Sequence, residues 1–137
     1  MIKIDIDTNP PLGSTTQLSL INEMSFVFTA THFDLPSLYA TKLHACFYRK
    51  YVKGRDFYDL IWYLGKGISP NFTVLNNAII QTQKQDLKIS EKTFKEFLLK
   101  GLSKIDFTKA RKDVERFLID KSELRLINAD VIKSAIR

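Results

Sequence analysis

A single cysteine, Cys46, is the whole thiol complement of the 137 residues. An intramolecular disulfide is therefore impossible, which removes the disulfide-stapled secreted scaffolds and favours a cytoplasmic protein. Long apolar runs are missing too, since none approaches the roughly 20 residues needed to cross a bilayer. The opening Met1-Ile2-Lys3-Ile4-Asp5-Ile6-Asp7 interleaves charges with isoleucines and does not build the apolar stretch of a signal peptide. Membrane and export readings fall away. Histidine is scarce: His32 precedes a loop, and His44 and Cys46, two apart on a helix, face different directions, so the three make no metal centre. Internal repeats, low-complexity segments and runs of basic residues are all lacking.

What is present is an ordinary foldable composition, 45% hydrophobic and 26% charged, in a length suited to one core. The net charge of +6 is unevenly placed. Residues 1–68 hold seven Lys/Arg against six Asp/Glu, and residues 69–137 hold fourteen against nine. The second half can attract a polyanion such as RNA or present the solvated face of ordinary helices.

Along the chain, Ile2, Ile4 and Ile6 alternate with polar residues, the period of a strand with one apolar face, until Thr8-Asn9-Pro10-Pro11-Leu12-Gly13 breaks it. Further extended pieces are expected around Gln17–Leu20 and over Ser25–Thr31, rich in aromatic and β-branched residues. From Asp34, a plausible N-cap followed by Pro36, the period turns helical through Leu35, Leu38, Tyr39, Leu43, Cys46 and Phe47. A second helix is expected from Arg55 through Phe57, Leu60, Ile61 and Leu64, stopped by Gly65 and Gly67. Helices are also expected over 72–83, 91–102, 107–118 and 129–136. The fold class is α+β: a small strand group (1–33) from a larger sheet, then a helical domain (34–137). So few strands suggest a chain that starts in the middle of a sheet.

Three features carry chemistry. Lys42 falls on or beside the apolar stripe of its helix, where an ammonium must snorkel to water or meet a carboxylate or phosphate. Asp56 and Asp59 share one helical face near an N-terminus, with Lys53 and Arg55 beside them, and Arg55 lies four before Asp59, in reach of a pair. Such carboxylates can orient a metal, a nucleotide or a phosphate-gripping side chain, or simply complement the helix dipole. Asp5 and Asp7 project from one face of the expected first strand, a placement that serves Mg²⁺ or is merely an exposed edge.

Taken in order, Lys3–Gly13, Phe33–Ala45 and Val52–Leu64 resemble three successive blocks of the AbiEii toxin family. A lone Arg-Asp-x-x-Asp would not be specific; the order and spacing of the three blocks are. The resemblance implies a nucleotidyltransferase-like sheet and Mg²⁺-dependent transfer of a nucleotide from a nucleoside triphosphate to an acceptor such as tRNA, within a toxin–antitoxin pair. It further implies that Lys42, Asp56 and Asp59 are the catalytic residues, with Lys42, Arg55 and Lys53 at the phosphates. Asp5 would take the place of the family's third acidic residue, at the metal. The family's glycine turn followed by Asp-x-Asp, which supplies the main metal ligands, has no counterpart before Asp5, and Gly13-Ser14 comes after it. The expectation is a chain inactive in nucleotidyl transfer by itself. The alternative is a non-catalytic module that binds RNA or a partner through its helices.

Overall fold

The computed structural model describes residues 1–136. Two strands, β1 (Thr16–Glu23) and β2 (Phe26–Phe33), pair antiparallel from Thr16↔Phe33 to Glu23↔Phe26. Met24 and Ser25, both at positive φ, close the turn between them. The helices follow: α1 (Leu35–Tyr48), α2 (Gly54–Lys66), α3 (Phe72–Gln83), α4 (Glu91–Leu102), α5 (Phe107–Val114) and α6 (Ala129–Ala135). Short 3₁₀ turns at Glu115–Phe117 and Lys121–Leu126 connect the last two.

The expected strand at Ile2–Ile6 does not form. Those residues are extended coil, with Ile2, Ile4 and Ile6 exposed by 91%, 78% and 82%. The alternation was real, but a strand exists only through a neighbour's ladder, and among the described residues none lies alongside it. The expected helix over 107–118 also divides, α5 ending at Val114 and a 3₁₀ turn carrying the chain on.

Every helix but α2 starts on a side-chain cap. Asp34 accepts from the Ser37 amide at 2.9 Å and opens α1, with Pro36 where a missing N–H costs nothing. Asn71, Asp106 and Asn128 cap α3, α5 and α6 through their side chains, and Ser90 and Thr93 form a reciprocal capping box at α4. Gly67, left-handed at φ 64°, ends α2.

The core lies where α1 packs against both α2 and α3 and where α5 and α6 lean on α2. Tyr39, Leu43, Phe57, Leu60, Leu75, Ile79 and Ile132 are fully buried there, each burial contributing about 1.5–3 kcal/mol. Tyr39 and Tyr63 stack with ring centroids 4.5 Å apart, which locks α1 to α2. Gly54 permits the closest approach: a Cβ there would stand 2.0 Å from the Ala110 carbonyl oxygen, so only glycine lets α2 begin against α5. The Gly54 amide, without a helical partner, donates to Asp113 at 2.9 Å.

Candidate active site

The first turn of α2, pinned by this contact with α5, faces the C-terminal half of α1. Lys42 sits between Tyr39, Leu43 and Cys46 on the inward side of α1, its side chain only 27% exposed. Its ammonium donates to Asp56 Oδ1 at 2.9 Å and pairs with Asp59 Oδ2 at 2.8 Å. The two carboxylates, one turn apart on α2, thus close on a lysine from the neighbouring helix. Lys42, Asp56 and Asp59 converge as their spacing suggested, although the strand expected beside them is missing.

The two carboxylates are not equivalent. Asp56 is buried, and its second oxygen accepts from Arg49 Nη1 at 2.6 Å. Its backbone carbonyl accepts from the buried Cys46 thiol at 3.3 Å, so both its ends are tied to α1. Asp59, with a side chain 47% exposed, meets Lys42 alone among the described residues. Burial pulls the Lys42 ammonium downward in pKa, but hydrogen bonds to Asp59 and Asp56, and then their charges, outweigh it, and the net shift is upward. Lys42 is a charged lysine at neutral pH. The Cys46 thiol is pushed well above its ordinary value, by burial first and by the Asp56 charge second, so it is a packing residue and no nucleophile.

Beside this cluster opens a cavity of about 880 Å³, within the size range of small-molecule sites. Lys42, Arg49, Lys53 and Arg55 supply its cations, Asp56, Asp59, Asp120 and Glu123 its carboxylates, and Val114, Phe117 and Leu118 an apolar wall. Glu123 accepts from the Tyr58 hydroxyl at 2.8 Å and Asp120 caps the turn that carries it, so both acids are already engaged. Arg55 departs from expectation. It makes no ion pair with Asp59 and instead lays its guanidinium over the Phe117 ring, 4.7 Å from the centroid. The i,i+4 geometry permits the pair and leaves Asp59 Oδ1 open to it, but Phe117 offers Arg55 a flat face.

Arg49 is a member of the cluster that the sequence reading did not single out. Its spacing of seven from Lys42, two helical turns on one face, was the available signal. Asp5, by contrast, lies in the exposed N-terminal segment, pairs with Lys3 at 3.1 Å and does not line the cavity.

A protein-family model described as nucleotidyl transferase AbiEii toxin, Type IV TA system, matches residues 1–130. The chain belongs to this family of toxin–antitoxin nucleotidyltransferases. No curated protein and no solved structure matches it. The Mg²⁺ that the family implies does not fit the carboxylates in this arrangement. Both oxygens of Asp56 and one of Asp59 are bound by cationic side chains, and among the described residues no group of three or more His, Cys, Asp or Glu side chains is placed to hold a metal ion. No described helix is long and apolar enough to cross a membrane.

Proposed function

We propose that this chain carries the phosphate-gripping side of a nucleotidyl-transfer site, which in its complete form moves a nucleotide from a nucleoside triphosphate to an acceptor such as tRNA. The observation that carries the reading is Lys42, held at 2.9 and 2.8 Å between Asp56 and Asp59 on the rim of a cavity that also receives Arg49, Lys53 and Arg55. A half-buried lysine fixed by one buried and one exposed carboxylate is oriented in advance for an incoming anion. A phosphate oxygen takes the place of exposed Asp59 and leaves buried Asp56 in position, because uncovering Asp56 would strand its charge. Asp56 is therefore a positioning residue for Lys42 and Arg49. Asp59 is the carboxylate that meets substrate.

Arg49 adds a planar fork suited to two phosphate oxygens, while Lys53 and Arg55 supply charge further along the cavity. Charge neutralisation and orientation are the catalytic contributions these side chains offer to phosphoryl chemistry. In this reading residues 1–33 belong to the strand part of a nucleotidyltransferase-like domain and residues 34–137 to its helical part. In this reading the Lys42 cluster does not itself supply the Mg²⁺ ligands, a cognate antitoxin is the regulatory partner, and the setting is the cytoplasm.

The second reading, an RNA- or partner-binding helical module, draws on the fourteen basic residues against nine acidic over positions 69–137. One set of measurements separates the two. A nucleoside triphosphate is titrated into the chain by calorimetry, with and without Mg²⁺, and labelled triphosphate is then incubated with the chain and a tRNA pool. The expected result is nucleotide binding weakened about ten-fold or more in Lys42→Ala and in Arg49→Ala, each removing a charge-assisted contact, with no label transferred. Nucleotide affinity indifferent to both substitutions, beside RNA binding that is equally indifferent, establishes the second reading. Robust transfer that vanishes in Lys42→Ala overturns the inactivity of the chain by itself.

A further inference from the structure

On the other flank of the Lys42–Asp59 pair lies a smaller hollow of about 390 Å³, lined by Leu35, Lys42, Tyr58, Asp59, Trp62 and Tyr63. It shares Lys42, Tyr58 and Asp59 with the cationic cavity, so the two spaces meet across one ion pair. Its wall has a different chemistry. Trp62 is 45% exposed on a helix whose other apolar residues are mostly buried, and Leu35, at the start of α1, is 40% exposed opposite it. Tyr63 meets the edge of the indole at 5.0 Å, and the Lys66 ammonium lies 5.5 Å from its ring centre. Two of the polar groups here are committed: the Tyr58 hydroxyl donates to Glu123 at 2.8 Å, and the Lys42 ammonium pairs with Asp59 Oδ2 at 2.8 Å. A flat aromatic surface flanked by cations, continuous with a cavity into which Arg49, Lys53 and Arg55 project, suits a planar, electron-rich ring carried by an anion.

We infer that this hollow is the nucleobase subsite: a nucleotide spans the two spaces at Lys42, its phosphates toward Arg49 and Lys42 with one oxygen in the place of Asp59, and its base stacked on Trp62. This rests on the phosphate-gripping role proposed for Lys42. Phe117, on the wall of the larger cavity, is less available, because the guanidinium groups of Arg55 and Arg116 lie 4.7 and 4.8 Å from its ring centre. Since stacking is tolerant of base identity, the subsite selects nucleotides from other anions without strongly selecting among bases.

Trp62 is the only tryptophan in the chain, so its fluorescence reports this site alone. Adenosine triphosphate and inorganic tripolyphosphate are titrated into the chain, following tryptophan emission and, in parallel, heat. The triphosphate nucleotide is expected to quench Trp62 and to bind more tightly than tripolyphosphate, which binds without comparable quenching. Trp62→Leu weakens the nucleotide by roughly ten-fold or more, as for loss of one stacked base, leaves tripolyphosphate affinity and the melting temperature unchanged, and Trp62→Phe restores most of the loss. The other nucleoside triphosphates separate by less than about ten-fold. Nucleotide binding without quenching, or equal affinity of wild type and Trp62→Leu, overturns the base subsite while the phosphate grip stands. A loss on Phe117→Ala in place of Trp62→Leu relocates the base and overturns it equally. If neither ligand binds, the phosphate reading fails and the base subsite with it.

Discussion

Residues 26–33 and residues 57–64 are similarly rich in aromatic and aliphatic side chains, yet Phe26 is 72% exposed and Phe57 is fully buried. The difference lies in what stands opposite. Phe57 projects from α2 toward α1 and α5, with Phe47 at 6.4 Å and Phe107 at 5.4 Å between ring centroids. The hairpin has β1 against β2 and little else. Leu18, Leu20 and Val27 are exposed on one of its faces and Phe26 and Phe28 on the other, as in a strand pair that belongs between two covering layers. Apolar periodicity thus records which faces are suited to burial, and a partner element decides whether burial happens. The candidate site is built entirely in the region that has its partners, and a rigid bundle can hold an ammonium between two carboxylates where a lone hairpin cannot.

Substitution inside the bundle should expose this contrast most sharply. Phe57→Ala removes a fully buried ring and is expected to cost about 3–5 kcal/mol in chemical denaturation. Asp56→Ala should approach the same size, about 3–5 kcal/mol, because it strands Lys42 and Arg49 around a buried gap. Asp59→Ala, at a half-exposed carboxylate, should cost under about 1 kcal/mol. If Asp56→Ala and Asp59→Ala prove equally mild, Asp56 is not the hub of the cluster, and its separation from Asp59 into positioning and substrate-facing roles collapses.

Much of the bundle was readable before any coordinates. The helices over 72–83 and 91–102 fall where Asn71 and Ser90 cap them, because caps and apolar spacing are local signals. The joining of Lys42 to Asp56 and Asp59 answers the demand that an ammonium on an apolar stripe meet water, a carboxylate or a phosphate. Arg49 was missed because a basic residue at a helix end has an ordinary surface explanation, and its ion pair depends on how α1 and α2 pack. Arg55 was paired with the wrong partner for a related reason: the i,i+4 rule knows nothing of Phe117, which arrives from 62 residues further along the chain. The strand at Ile2–Ile6 failed because pairing is non-local. The 3₁₀ turn over 121–126 carries little apolar periodicity to announce it.

Alkaline titration provides a medium-sized test of the site against the rest of the bundle. The folded-state pKa of Lys42 is raised above the ordinary 10.5, so as pH climbs the unfolded chain releases this proton first. The pairing therefore contributes fully below about pH 10.5 and is lost as pH rises through the folded value. The buried Tyr39 phenol, raised chiefly by burial, acts in the same sense. Melting temperatures between about pH 8 and about pH 11.5 should fall more steeply for wild type than for Lys42→Met. Equal slopes would assign the alkaline loss to the tyrosines and leave Lys42 without measurable coupling to folding.

The smallest effect belongs to the hairpin. Phe26→Ala deletes a ring of the same size as that of Phe57, but from a strand that touches no helix of the bundle closely, and the change in unfolding free energy should stay within about 0.5 kcal/mol. A two-stranded hairpin without a covering layer is only marginally stable in water. Its cross-strand amides should accordingly exchange with solvent far faster than those of α2, because their opening does not require the core to open. The turn before it is better secured: the Thr15 amide donates to Ser37 at 3.1 Å and Asp34 donates to the Thr15 carbonyl at 3.0 Å, so protection should rise from the Met24–Ser25 tip toward Thr16 and Phe33. Uniform protection matching that of α2, together with a cost for Phe26→Ala near that of Phe57→Ala, would show that the exposed faces are covered in solution and that the contrast between the two regions is not intrinsic to the isolated chain.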